Sequence, residues 1–330
     1  MVNLFSPWIS VSSVLIKHKY PNIMAKVLVA TDKPFAKVAV DGIRKIVEDA
    51  GFELALLEKY TDKADLLKAV ADVDAIIVRS DIISADVVEA AKNLKVVVRA
   101  GAGYDNLDLE ACTAKGVVAM NTPGQNSNAV AELAIGMMIY MARNQFTPVA
   151  GTEIKGKRLG IHAYGNVGKL VASHAKGFGM EVYAFDPFVK KEDMEKDGVK
   201  VVGTVEELYA VSDYLSLHIP ANDKTKKSIG YNLLTKMPKG ATLINTARKE
   251  VIDEDGMMKA LEERTDLKYA TDIAADTHAA LVEKFGVRVF ATPKKMGAQT
   301  SEANVNAGLA AANQIVNFIK NGDRTFQVNK

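Results

Sequence analysis

A single cysteine, Cys112, stands among 330 residues, so no internal disulfide forms and no metal centre can be built from thiolates. That usage suits a reducing compartment such as the cytoplasm, and Cys112 itself reads as a small buried apolar residue. Charge of one sign is also lacking. Lysine and arginine number 42 against 40 acidic residues, a net charge of +2, and no long basic block argues for nucleic acid. None of the histidines has metal-ligand spacing. Residues 1–25 contain neither an acidic residue nor an arginine, and they hold the only tryptophan, Trp8. Their one apolar run, Ile9 to Ile16, is too short to span a bilayer. Lys17, His18 and Lys19 follow that run, the wrong order for a secretory signal, and the missing arginine argues against a transit peptide. A disordered extension over 1–25 is expected, with no membrane partner. Low-complexity segments and short-period repeats are absent too.

What is present is 48% apolar and 25% charged, the composition of an ordinary globular chain long enough for two cores. The central stretch is 158–191. Leu159 and Ile161 fit a short buried strand, Gly165 and Gly168 open a helix, and Val182 to Phe185 form a second strand ending at Asp186. Glycines let backbone approach a pyrophosphate, and a helix N-terminus offers unpaired N–H groups to it. A carboxylate about 20 residues on binds a ribose diol. Here Asp186 follows Gly168 by 18 residues. The first glycine of the usual pattern is replaced by Ala163, so the turn must tolerate a Cβ. Asp186 would repel a 2′-phosphate, which favours NAD over NADP, although Lys190 and Lys191 lie close by.

Around this unit strand-like and helix-like runs alternate. Strands are expected near 26–30, 52–56, 74–78, 96–98 and 116–120, then near 181–185, 200–202, 213–217, 241–245, 267–273 and 287–291. Such alternation predicts an α/β fold of two doubly wound parallel sheets, Rossmann-like, joined through a long apolar helix from Ala129 to Arg143. A last amphipathic helix over about 300–320 returns the chain to the first sheet. Ligands of such sheets bind beyond the carboxyl ends of the strands. The residues there are Arg79-Ser80, Arg99 to Asn106, His218-Ile219-Pro220, Asn245 to Arg248, Asp272 and Thr292 to Gly297. Singly, each reads as a cap or a loop ion pair; several cations gathered beside a dinucleotide site are harder to explain that way.

The set Arg99-Ala-Gly-x-Gly-x-Asp-Asn106, Ser216-Leu-His218-x-Pro220, Ile244-Asn-Thr-Ala-Arg248, Thr271-Asp272 and Thr292-Pro293 resembles the D-2-hydroxyacid dehydrogenases, in particular the short phosphoglycerate-oxidising members. The resemblance covers about 26–330. It implies an NAD-binding domain over 121–298 inserted in a substrate domain of 26–120 and 299–330, and a homodimer formed by the nucleotide domains. It further implies Gly165-Asn166-Val167-Gly168 on the pyrophosphate and Asp186 on the ribose. His218, Ile219, Pro220, Thr246, Ala247 and Asp272 would complete the cofactor pocket, with Asp272 on the nicotinamide amide. Arg248 would grip the substrate carboxylate, since a planar guanidinium matches it with two parallel hydrogen bonds. Arg79, Ser80, Arg99 and Asn126 would serve the far end of the substrate, joined by Arg143 of a neighbouring subunit.

Two departures stand out. Most of the family has a histidine after Thr-Pro, paired with a glutamate five residues past the aspartate; this chain has Lys294 and Lys295, then Asp276 and Thr277. Aligned from one side Lys294 takes the histidine's place, aligned from the other Lys295 does. A lysine works as acid and base if burial and nearby positive charge bring its pKa down, and a partner carboxylate would oppose that. The two departures therefore fit one another. His278 is a weaker substitute. The expected activity is NAD-dependent oxidation of 3-phospho-D-glycerate, opening serine biosynthesis. The alternatives are a glyoxylate or hydroxypyruvate reductase and an NAD-sensing binder without turnover.

Overall fold

The computed structural model describes residues 24–330, so the extension expected over 1–25 lies, but for its last two residues, outside the described part. The first array runs β1 (Lys26–Thr31), α1 (Lys37–Asp49), β2 (Glu53–Glu58), α2 (Lys63–Ala69), β3 (Ala75–Val78), α3 (Ala85–Ala90), β4 (Val96–Arg99), α4 (Leu109–Ala114) and β5 (Val118–Asn121). Its strands pair in the order β2-β1-β3-β4-β5, all parallel. Helices cover both faces of a parallel sheet, so inner strands become continuous apolar runs, and β3 (Ala-Ile-Ile-Val) is buried throughout.

Helix α5 (Ser127–Ala142) carries the chain to the second array. There follow β6 (Arg158–His162), α6 (Asn166–Gly177), β7 (Glu181–Phe185), α7 (Lys191–Lys196), β8 (Lys200–Val201), α8 (Val205–Val211) and β9 (Tyr214–Leu217). After them come α9 (Tyr231–Leu234), β10 (Thr242–Asn245), α10 (Glu254–Glu263), β11 (Lys268–Thr271), α11 (His278–Phe285) and β12 (Val289–Ala291). The order β12-β11-β10-β9-β6-β7-β8 is again all parallel. Two elements are shorter than the apolar pattern suggested. The strand expected over 267–273 stops at Thr271, and Gly286–Arg288 forms a 3₁₀ turn ahead of β12.

Helix α12 (Ser301–Asn321) returns to the first sheet. Thr300 caps its start by accepting from the Ala303 N–H, and Gly322 ends it at a φ of 69°. Ala307, Ala311, Ala312 and Ile315 join the core formed by α1, β1, β3 and β4. The tail then binds β5, where the Val328 N–H donates to Ala119 O and Asn329 Oδ1 accepts from the Ala119 N–H. Helix α5 is apolar over most of its surface, where α6, β10 and β11 pack against it, and leaves Asn128 and Glu132 exposed.

The order of each sheet reverses once, between β1 and β3 in the first and between β6 and β9 in the second. At the second reversal the turn after β6 pivots on Ala163, at a φ of 81°. A Cβ in that region costs about 1–2 kcal/mol, and glycine's extra freedom in the unfolded chain offsets only part of it. Ala163→Gly should therefore stabilise the protein by about 0.5–1 kcal/mol, read as a rise in Tm of roughly 1–3 °C. A fall in Tm would mean that the turn carries no strain.

Candidate active site

Both reversals open onto one cleft of about 610 Å³ between the sheets. From the first sheet come Arg79 and Ser80 after β3, and Arg99, Asp105 and Asn106 from the end of β4 and its loop. From the second come Val167, His218, Ile219, Pro220, Thr246, Ala247, Arg248, Asp272 and Lys295, and Asn126 joins at the start of α5. The parallel arrangement explains the convergence, since every strand of a sheet ends on the same edge.

The glycine turn is built tightly. A Cβ on Gly168 would lie 2.4 Å from Ala163 O, so this glycine lets α6 approach β6. A Cβ on Gly165 would meet no protein atom within 4 Å, leaving the space a pyrophosphate needs. Asp186, just past β7, accepts from the Tyr164 N–H at 2.7 Å and from the Phe188 and Val189 N–H groups at 2.8 and 3.2 Å. Those bonds fix the carboxylate beside the turn. They use three of its roughly four acceptor sites, so Asp186 shapes the turn as well as facing a ribose.

At the other end of the cofactor pocket, Asp272 is fully buried, and its Oδ2 accepts from the Gly297 N–H at 2.7 Å. Its Oδ1 has no partner among the described residues, and neither has Thr246 Oγ1 or His218 Nε2. Burial raises the Asp272 pKa. A buried carboxylate oxygen without a donor is costly, and the amide of a nicotinamide would supply one. Burial pushes His218 down to about 3, so its ring is a neutral wall of the pocket. The residues present thus fit a nicotinamide dinucleotide. Among the described residues no group of three His, Cys, Asp or Glu side chains could hold a metal, and no helix is long and apolar enough to cross a membrane.

The two lysines separate clearly. The Thr292 hydroxyl donates to Lys294 O at 2.7 Å, and the Lys294 side chain is exposed and off the cleft. Lys295 lines the cleft. Solvent still reaches its side chain through the open mouth, yet surrounding protein lowers its pKa, helped by the positive charges of Arg248 and Arg99 and opposed by Asp272 and Asp105. Arg248 spends Nη1 on its own neighbour, Ala247 O, at 2.9 Å, and Asn245 Nδ2 holds the Arg248 carbonyl at 3.0 Å. Its Nη2 lies toward Gly103, another residue of the cleft, where a Cβ would come within 3.5 Å of it.

The segment where the family keeps a glutamate points elsewhere. Asp276 pairs with Lys249 at 2.7 Å, and the Thr277 hydroxyl donates to Glu254 at 2.6 Å. His278 starts α11 outside the cleft. Arg143 follows α5, exposed and away from the cleft of its own chain. The sequence reading quoted Asp105 and Asn106 without assigning them a role, and it passed over Gln299 and Val130, which also line the cleft. Gly297 was a usable signal for Val130: a Cβ there would lie 2.9 Å from Asp272 Oδ2 and 3.1 Å from Val130 Cγ2.

A glycine turn at one sheet reversal, a buried carboxylate with one unpaired oxygen at the far end of the pocket and a cationic cluster opposite define a dinucleotide-binding α/β protein of the two-sheet dehydrogenase type. Residues 134–293 match the family described as D-isomer specific 2-hydroxyacid dehydrogenase, NAD binding domain. The chain belongs to this family, and its dinucleotide is NAD. It is 48% identical to the 3-phosphoglycerate dehydrogenase of Entamoeba histolytica, solved with NAD+ bound, with a TM-score of 0.83 over 93% of this chain and 99% of that one. It is 36% identical to the D-3-phosphoglycerate dehydrogenase of Methanocaldococcus jannaschii over 90% of its own length, and spans 58% of that longer relative. It is 32% identical to the hydroxypyruvate reductase of Thermotoga maritima over 80% of this chain and 90% of that protein.

Removing the Asp186 carboxylate deletes hydrogen bonds to a charged acceptor and the repulsion of a 2′-phosphate together. Asp186→Ala should weaken NADH binding by about 10-fold while changing NADPH binding less. Fluorescence titration with both dinucleotides measures this, and equal losses for the two would exclude Asp186 as a ribose ligand.

Proposed function

We propose that the protein oxidises 3-phospho-D-glycerate to 3-phosphooxypyruvate with NAD, the opening step of serine biosynthesis. The observation that carries this reading is the placement of Lys295 and Arg248 in one cleft with the unpaired Oδ1 of Asp272. Four cationic side chains, Arg79, Arg99, Arg248 and Lys295, line the cleft against two carboxylates, Asp105 and Asp272. That surplus suits a substrate with two anionic ends. The E. histolytica and M. jannaschii relatives carry the same activity in their names. A second reading is reduction of glyoxylate or hydroxypyruvate, favoured by the name of the T. maritima relative.

Bound NAD would supply the two-electron acceptor at its nicotinamide C4. Arg248 grips the substrate carboxylate and holds C2 in one orientation, worth a large part of the barrier through positioning. Lys295, as the neutral amine, takes the C2 hydroxyl proton as the C2–H bond breaks; as the ammonium it returns that proton in the reverse direction. His218 stays neutral and excludes water beside it. Arg79, Ser80, Arg99 and Asn126 hold the phosphate. In a homodimer Arg143 would reach the partner's substrate, and the exposed Phe146 and Val149 near it form surface that a second copy would cover.

The lowered pKa of Lys295 sets the sign of the pH dependence. Oxidation needs the neutral amine, so its rate rises with pH through a midpoint below the ordinary lysine value of about 10.4, and reduction falls through the same range. Lys295→Ala should cost about 10²–10³ in kcat, the usual worth of a positioned acid and base. Lys294→Ala should change little. Lys295→His should keep part of the activity with the midpoint moved toward about 6.5. Equal losses from both lysines would overturn the assignment of Lys295. No turnover by the unaltered protein with either oxoacid would leave an NAD-binding protein without catalysis.

A further inference from the structure

Arg79 leaves the first sheet at its reversal point, and its guanidinium is held from several sides. Nη1 donates to Lys33 O at 3.0 Å and to Pro34 O at 3.2 Å, both on the loop after β1. Nη2 donates to Asn304 Oδ1 at 2.6 Å. The Phe35 ring lies beneath, 5.1 Å from Cζ, and Phe35 is itself wedged against α12, where a Cβ on Gly308 would come within 3.2 Å of Cε1. An arginine has five N–H donors. Three are spent here, and the Nε–H and the second Nη2–H have no acceptor among the described residues.

Asn304 is oriented as well. Its Nδ2 donates to Thr300 O at 2.8 Å, which leaves Oδ1 turned to Arg79. The asparagine therefore sits in the first turn of α12, nine residues after Lys295, and reaches the end of β3 in the sheet that α12 packs against.

We infer that Asn304 is a specificity-positioning residue: by holding one side of the Arg79 guanidinium through its Oδ1, it presents the remaining Nε and Nη2 donors to a second anionic group on the substrate. The inference rests on the proposed oxidation of a phosphorylated 2-hydroxyacid and adds the residue that makes the phosphate count. Two parallel N–H groups of a fixed guanidinium match a tetrahedral anion, whereas an unrestrained arginine would lose side-chain entropy on binding it. Asn304 neither lines the cleft nor meets the reacting carbon, so it acts only through Arg79.

The test compares 3-phosphooxypyruvate with hydroxypyruvate, the same oxoacid without phosphate, in NADH oxidation by the whole protein. Asn304→Ala should raise KM for the phosphorylated substrate by about 10-fold, as for one lost hydrogen bond to a charged group. Its kcat, and both constants for hydroxypyruvate, should hold. In an Arg79→Ala background the same substitution should add nothing, because residues acting as a unit are not additive. Equal losses on both substrates, or additive losses in the double variant, would overturn the inference, and a matching fall in Tm would assign Asn304 a structural role instead. Should the unaltered protein show no preference for the phosphorylated substrate, the substrate reading fails. Inorganic phosphate then tests Asn304 alone: the Tm of the NAD complex should rise with phosphate and rise less in Asn304→Ala, and an equal rise would overturn the inference.

Discussion

Everything at this site depends on the direction of the strands. Among the described residues twelve strands in two sheets all run parallel within their sheet, so each sheet delivers its loops to a single edge, and the two edges face one another across the cleft. A parallel sheet hides its strands between helices and leaves polar chemistry only to the turns beyond them. Arg79, Arg99, Arg248, Asp272 and His218 all stand at or just after a strand end, far apart in sequence and close in space.

Burial first, and that crowding after it, lower the Lys295 pKa. Like charges within a cleft disfavour one another's ionised forms, and the weakest of the cations yields first. Arginine does not yield; lysine does. A further carboxylate next to Lys295 would favour the ammonium and work against its proposed role as a base, and the segment carrying Asp276 and Thr277 is instead bound to Lys249 and Glu254. Asp272 opposes that lowering, and its own burial, which raises its pKa, disfavours the charge with which it does so. The loss of an acid and the gain of an amine are thus one change in the electrostatics of the cleft.

Much of this was legible in the sequence, because apolar runs of four or five residues between amphipathic stretches leave few alternatives to parallel strands. The catalytic end was less so. Lys294 and Lys295 are indistinguishable by alignment, and only the folded turn, in which the Thr292 hydroxyl bonds Lys294 O, puts Lys295 in the lining of the cleft and leaves Lys294 off it. The strand expected to run past Asp272 to residue 273 ends at Thr271, which leaves Asp272 in the turn that lines the cleft. The bond between Arg79 and Asn304 spans 225 residues, a separation at which no local pattern carries information.

The same bond bears on how the cleft closes. Two helices carry the chain between the sheets, α5 outward and α12 back, and they touch one another. A rotation of one sheet against the other must pivot on them. Lys295 precedes α12 by a short loop, while Arg79 is tied to the first turn of that helix. Movement of α12 would therefore shift Lys295, the amine proposed to carry the proton, together with Arg79 at the proposed distal anion site, while Arg248 would stay with the second sheet. A substrate that spans both ends makes its full set of contacts only when the helices have brought them to one separation, so the length of the substrate and the closed position of the sheets are a single geometric condition. On the proposed reading an oxoacid without a distal anion would leave half of that condition unmet and gain less from closure, so that selectivity would arise without a steric barrier to the smaller molecule.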